Sequence, residues 1–510
     1  MGPRTRPVPD CSEFERGRSE RTLFSLVCAA ADTTVSFPYS GMALSRKHVN
    51  QIRMSTNVAP PQLKRGMGLF PAIASNMLNM VGIGPFLSVP LMLGTMGGPQ
   101  ALLGWIFGAL ISFCDGLVWS EFGAAMPDSG GSYNYLLQAF GPNGLGRLMG
   151  FLFLWQVMLV GPLTAASGSV GFADYARFLF PQMLPITHTA IAMVVCIAVT
   201  FLLYRDIQAI GRISVLLWSG LMLAMGIIIW GGLTHFNVAQ AFHFPPHAFR
   251  FSTQFFIGLG AATLISTYDF SGYFNVCLIG GEVEKPASTI PRTVLFSICV
   301  LGCLYLAMSL CLIAVLPWRE AIGSQAIISD FTARIYGPNA AKLMTVLILW
   351  IAFASVFCVL LGYTRVPFAA AVEGHFFKSF AKLHPKHNFP SLSVVAMGFL
   401  SAAACLLSLD ALIRTLIVTQ IVTQFLAQCV GLLVVRRTRP DIERPFRMPL
   451  YPVPVLIALA GWMFVLCCSG TIYILTGVAV TIAGALAYFW RAWRQKIWPF
   501  MQPNGVFTDS

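Results

Sequence analysis

Asn76-Met77-Leu78-Asn79-Met80-Val81-Gly82-Ile83-Gly84-Pro85-Phe86 lies inside a run long and apolar enough to cross a bilayer. Its glycines and proline interrupt the helix and free backbone groups that hydrocarbon cannot satisfy. Such a break persists only where it is buried in protein or lines a cavity. A second break, Thr267-Tyr268-Asp269-Phe270-Ser271-Gly272-Tyr273-Phe274-Asn275, occupies the matching place in the second half of the chain. Paired breaks in corresponding positions point to the binding site of a transporter.

Composition agrees. The 510 residues are 56% hydrophobic and only 10% charged, against roughly a quarter charged in soluble domains. The chain is therefore expected to be an all-α integral membrane protein. A span needs about 20 apolar residues. Twelve candidates fall near 69–93, 100–125, 146–176, 187–204, 208–235, 253–279, 293–316, 340–366, 391–408, 411–435, 452–469 and 471–490. The last two are divided at Cys468-Ser469-Gly470.

The net charge of +13 does not indicate nucleic acid. With the N-terminus inside, only Arg177, Arg250, Arg319, Arg334, Lys342 and Arg414 fall in outside segments. The other Lys and Arg lie inside, so both termini are expected to be cytoplasmic, in a plasma or inner membrane. The basic excess also suits an anionic-lipid surface. Thirteen cysteines show no metal-like spacing, and no outside loop offers a disulfide pair. Residues 1–66 form a polar, basic cytoplasmic tail whose apolar run at 22–31 is too short to span. Translation is expected to begin at Met54, leaving 53 residues untranslated, because Lys64-Arg65 leads directly into the first span.

Spans one to five (69–235) and six to ten (253–435) form two sets, each opening on a broken span. An odd number per set makes the second enter from the opposite side, the plan of an inverted repeat with its site near the midplane. The transporter core is read as 67–440, and 441–510 as peripheral spans eleven and twelve with a cytoplasmic C-terminus.

In the first break Gly82 and Gly84 let a ligand approach the backbone, and Pro85 unlinks the half-helices. The amides that follow lie at the positive end of a half-helix and suit a carboxylate. A packing kink is the plainer alternative, and the matched second break favours a site. Asp269 is a carboxylate at membrane depth, functional by default. It is read as a ligand for a substrate ammonium or as the carrier of a coupling proton, with helix capping as the alternative. Glu121 is read as structure at the cytoplasmic end. Asp115, deeper in span two, is read as a packed hydrogen-bonding group or else a coupling relay. Trp155, Gln156 and Ser355 are read as cavity lining or as polar contacts between helices.

Further landmarks occur in order. They are Gly82-Ile83-Gly84-Pro85-Phe86, the stretch Asp115 to Pro127 with Gly130-Gly131-Ser132-Tyr133 and Phe140-Gly141-Pro142, Gly281-Glu282-Val283-Glu284-Lys285-Pro286 with Ile290-Pro291-Arg292, and Leu361 to Ala371 with Gly374. Together they resemble the amino acid–polyamine–organocation superfamily over about 67–440, nearest its polyamine and cationic amino acid branch. The resemblance implies a LeuT-type 5+5 inverted repeat of 12 transmembrane helices with spans 1 and 6 broken. It implies substrate held by Gly82, Ile83 and Gly84 facing Asp269, Phe270, Ser271 and Gly272. Tyr268, Phe270 and Tyr273 become candidates for an aromatic gate. Polyamine-type members carry an aromatic, an Asp and an Asn after the span-six glycine; here Gly272-Tyr273-Phe274-Asn275 lacks the acid at Phe274.

In that plan a sodium site would use freed carbonyls of span one and hydroxyls of span eight. Ser355 supplies one hydroxyl, while Phe353 and Ala354 beside it add none. Proton coupling or exchange is therefore expected over sodium, with Asp269, Asp115 and Ser355 as coupling candidates. No cofactor is expected. Some members join a heavy subunit through a cysteine after span three; the loop from Arg177 to Thr187 has none, so no disulfide-linked heavy chain is expected.

The function implied is a secondary active transporter of amino acids or related amines, working by alternating access. A sensor with the same fold is the alternative. A membrane enzyme is disfavoured, because His48, His188, His235, His243, His247, His375, His384 and His387 sit in loops or at span ends rather than converging.

Overall fold

The computed structural model describes residues 63–142, 144–324, 326–407 and 409–494, with the backbone alone at 409–414. Most of the basic tail, including Met54, and the C-terminal residues 495–510 lie outside the described residues. No β-strand occurs among the described residues; an isolated parallel bridge joins Met67 and Val283.

The main helices are α1 (Leu69–Val81), α2 (Gly84–Met96), α3 (Leu103–Ala125), α4 (Ser132–Ala139), α5 (Leu145–Leu179), α6 (Pro185–Leu202), α7 (Ile207–Thr234) and α8 (Thr253–Phe270). They continue as α9 (Pro286–Val315), α10 (Ile327–Tyr336), α11 (Pro338–Tyr363), α12 (Arg365–Val372), α13 (Ser391–Ala404), α14 (Leu409–Gln420), α15 (Leu426–Thr438), α16 (Val453–Cys468) and α17 (Thr471–Arg494). A π-helical turn, Ile421–Phe425, joins α14 to α15.

Nine helical stretches among the described residues are long and apolar enough to cross a membrane. They are Leu69–Met96, Pro99–Ala125, Leu145–Leu179, Pro185–Leu202, Ile207–Thr234, Pro286–Val315, Pro338–Val372, Thr415–Thr438 and Thr471–Arg494. The sequence suggested twelve. At the other three places stand α8, which carries Thr263, Ser266, Thr267 and Asp269 toward its end, and the shorter apolar helices α13 and α16. Ile186, Phe201, Trp230, Phe399 and Leu486 are exposed, the outward apolar surface of a protein that meets lipid.

Local chemistry explains the shifted boundaries. The seventh of the twelve expected spans begins at Pro286 rather than near 293, because Lys285 turns left-handed (φ 46°) and proline starts the helix. Span six stops being helical at Phe270, where Ser271 becomes extended and Gly272 takes φ 109°. The last two helices part at Ser469-Gly470 as expected, with Gly470 at φ 93°.

Helix α3 packs against α8 and α9, and α5 against α11. The α3–α8 contact is close because Gly104 and Gly108 have no side chain; a Cβ on Gly104 would come 2.9 Å from Ala262. This packing sets α8 beside α2, so that the two breaks meet.

Candidate substrate site

The first break is short. Helix α1 ends at Val81, Gly82 takes φ 49°, and α2 restarts at Gly84 with Pro85 inside its first turn. The second is longer. Ser271 N donates back to Thr267 O (2.9 Å) and Tyr268 O (3.0 Å), and a short helix resumes at Asn275.

The breaks are tied together by side chains. Asn79 Nδ2 donates to Gly272 O at 3.3 Å. Asn76 Oδ1 accepts from Val276 N at 3.2 Å. Each thereby satisfies a backbone group released by the second break. Ser88 Oγ, one turn into α2, donates to Asp269 Oδ2 at 2.5 Å. Tyr305 OH donates to Asp269 O at 3.2 Å. Asp269 Oδ1 is buried with no hydrogen-bond partner among the described residues. It lies against Gly84, where an added Cβ would collide with it.

A cavity of about 40 Å³ lies between the breaks, space for a few water molecules. Gly82, Ile83, Gly84, Tyr268, Asp269, Ser271 and Gly272 line one side. Thr164, Ser167, Ser355, Tyr363 and Gln420 line the other. Tyr268 OH and Ser167 Oγ are 3.1 Å apart, so Tyr268 bridges toward α5. Ser355 Oγ donates to Ala352 O (3.0 Å) and lies beside Gly82.

Two residues assigned to the site turn away from it. Phe270 packs edge-on to Trp105 and Tyr305, with ring centres 6.1 and 5.4 Å away. One residue along a helix rotates the side chain about 100°, so Asp269 and Phe270 cannot share a wall. Tyr273 is fully buried and donates to Asp115 Oδ2 at 2.5 Å. Cys429 Sγ donates to Asp115 Oδ1 at 3.3 Å. Asp115 thus holds the second break against α3 and α15, outside the cavity. Trp155 Nε1 donates to Val480 O (3.1 Å), a contact with α17. Among the described residues no group of three or more His, Cys, Asp or Glu could hold a metal.

Outside the cavity lining lies a buried ion pair. Arg365 Nε and Nη2 donate to Glu282 Oε2 (2.8 Å) and Oε1 (3.0 Å), and Nη1 to Thr364 Oγ1 (3.0 Å). Glu282 O accepts from Gly66 N (2.9 Å) and Met67 N (3.0 Å), fastening the segment that enters α1. Glu121 is held by Arg436 Nε (2.8 Å) and Nη2 (2.6 Å), and it accepts from Met448 N (2.8 Å).

Asn76, Asn79, Ser88 and the Glu282–Arg365 pair carried no role in the sequence reading. The signal for the asparagines was present: two amides three residues apart in an apolar helix share one face.

The helices and the cavity between two broken spans define a multi-pass α-helical membrane protein. The chain belongs to the amino acid permease family, within the amino acid–polyamine–organocation superfamily: the family model described as amino acid permease matches residues 67–490. The branched-chain amino acid permease BcaP of Bacillus subtilis (strain 168) is 26% identical over 479 residues, covering 88% of this chain and 97% of that protein. Asc-type amino acid transporter 1 of Homo sapiens is 28% identical over 454 residues, covering 84% and 83%. Large neutral amino acids transporter small subunit 2 of Homo sapiens is 28% identical over 444 residues, covering 83% and 81%. All three are named as permeases or transporters, not enzymes, and for amino acids. They lend no support to the polyamine branch.

Proposed function

We propose that this protein is a secondary active transporter that moves amino acids by alternating access, with substrate bound between the two breaks. The observation that carries the reading is Asp269. Its carboxylate has one oxygen held by Ser88 and the other without a hydrogen-bond partner among the described residues, and Asp269 lines a cavity walled by both breaks. An unpartnered carboxylate oxygen suits a cation, either a substrate ammonium or a coupling proton. The amides at the start of α2 suit the substrate carboxylate, and Asp269 suits its ammonium. Tyr268 is the gate candidate that lines the cavity.

The two sets 69–235 and 253–435 are read as a LeuT-type inverted repeat within twelve spans, with α16 and α17 peripheral. Helix α17 buries only 17% of its most apolar window, in keeping with that place. The Lys/Arg distribution supports cytoplasmic termini in a plasma or inner membrane. Proton coupling or exchange is favoured over sodium, since Ser355 is a single hydroxyl beside Gly82. One relative is named a small subunit; the segment from Arg177 to Thr187 here has no cysteine for a covalent partner. The test is uptake of the standard amino acids into proteoliposomes. Accumulation or exchange is expected. Binding without either, under any ion gradient, contradicts transport and favours a sensor.

A further inference from the structure

Two apolar grooves mark the outer surface of the bundle. One, of about 830 Å³, lies beside Tyr336, Leu343 and Trp350, and its lining holds no Lys, Arg or His. The other, of about 1000 Å³, runs between α6 and α13 and ends on a cation, Arg205. Small residues make its floor. A Cβ on Gly398 would collide with Thr200, so α13 meets α6 closely there. Ala402 and Ala403 continue the valley, and Phe201 and Phe399 stand exposed along it.

The two walls run in opposite directions. Cys196 Sγ and Cys405 Sγ are 3.8 Å apart toward one end, and Tyr204 packs on Phe389 at the other, with ring centres 4.8 Å apart. The lining extends from Met193 to Arg205 on one wall and from Val395 to Leu406 on the other, roughly 17 Å at the rise of a helix. Hydrocarbon is about 30 Å thick, so the groove has the height of one leaflet, about 15 Å, while a spanning helix would need a wall of about 30 Å.

The Arg205 end is positive and exposed. Arg205 Nη1 donates to Tyr204 O at 3.0 Å, using one of several guanidinium donors. The neighbouring acid, Asp206, is engaged in capping α7, where it accepts from Ala209 N at 2.9 Å. The Tyr204 ring centre also lies 6.1 Å from that of His384. Lys382 and Lys386, two residues to either side of His384, are exposed. A guanidinium matches a phosphate with two parallel hydrogen bonds, and cations at the membrane surface attract anionic lipid.

We propose that the α6–α13 groove binds one anionic phospholipid of the leaflet on the Arg205 side. Its acyl chain lies between Phe201 and Phe399, and its phosphate sits on the Arg205 guanidinium. Lys382 and Lys386 favour a net negative headgroup over a zwitterionic one, whose own cation they repel. The site needs only membrane insertion and stands apart from transport.

The test is native mass spectrometry of the full chain in detergent, titrated with dioleoylphosphatidylglycerol or dioleoylphosphatidylcholine. One phosphatidylglycerol is expected to bind, at least about fivefold tighter than phosphatidylcholine. Arg205→Gln is expected to bring the two lipids within about twofold of each other. Ala403→Trp fills the groove from its exposed face and is expected to weaken phosphatidylglycerol at least about fivefold. Leu343→Trp, in the other groove, is expected to stay within about twofold of the unmodified chain. Arg205→Gln changes no apolar contact, so it reads the site even where Ala403→Trp melts early. Equal binding of the two lipids by the full chain overturns the site, as does a preference that survives Arg205→Gln. Equal losses in Leu343→Trp and Ala403→Trp also overturn it. Displacement of the lipid by glycerophosphate at the same concentration shows a site for a free phosphate ester and overturns it. A lipid-free dimer that Ala403→Trp disperses shows a second copy in the groove and overturns it too.

Discussion

Ser88 and Asp269 join the two broken helices directly: the Ser88 hydroxyl donates to Asp269 Oδ2 at 2.5 Å, across 181 residues of sequence. The bond orients the carboxylate so that Oδ1 lies against Gly84 at the first break. Ser88→Ala removes the orienting donor and leaves the fold intact. Hydrogen bonds to charged groups contribute about 1.5–3 kcal/mol. The concentration for half-maximal uptake is therefore expected to rise about tenfold or more, with Ser88→Thr restoring much of it. Uptake titrations check this.

Gly272 sits at φ 109°, and a Cβ there would come 2.7 Å from Asn79 Nδ2 and 3.0 Å from Asn79 O. Gly272→Ala meets both backbone strain, about 1–3 kcal/mol, and loss of the Asn79 bond. Transport is expected to fall more than tenfold, with a lower melting temperature in detergent. A variant with normal transport would show that the second break tolerates a side chain.

Arg365 and Glu282 form a fully buried, two-pronged ion pair. Removing one partner strands a buried charge, at a cost of about 3–5 kcal/mol. Arg365→Met is expected to lower stability strongly, and the double change Arg365→Met with Glu282→Leu to recover much of it. Melting curves of the single and double variants measure the difference.

His375, in the segment after α12, makes a 2.5 Å hydrogen bond with Tyr133 OH. Burial, and then the positive charges of Arg147 and Arg491, lower its pKa from 6.5 to about 4. The folded state therefore binds this proton less readily than the unfolded chain. Its contribution is full above about pH 6.5 and is lost as the pH falls through about 4, with a ceiling of about 3 kcal/mol. His375→Gln is expected to flatten that part of the stability–pH curve. An unchanged slope between pH 6.5 and 4 would contradict it.

The breaks were legible in sequence because glycine and proline leave a backbone signature at Gly82–Pro85 and Gly272. The facing of side chains around them was not. Phe270 and Asp269 are adjacent in sequence, yet one joins the Trp105–Tyr305 cluster and the other enters the cavity. That sorting depends on where α3 and α9 press on α8, which composition does not record. Tyr273 was drawn out of the cavity by Asp115, a partner 158 residues away. The pairings of Asn79 with Gly272 and of Arg365 with Glu282 are likewise long-range. The α8 and α13 stretches show the opposite limit, since their membrane character is diluted by polar or short helices that only packing completes.

The most direct test of the central claim is amino acid uptake by proteoliposomes holding the full chain or Asp269→Asn, prepared side by side. The amide keeps the shape of the side chain and removes its charge. Accumulation or exchange is expected of the full chain. At least a tenfold loss is expected in Asp269→Asn, with monodisperse, folded protein in both. Full transport by Asp269→Asn with an unchanged pH dependence would contradict it.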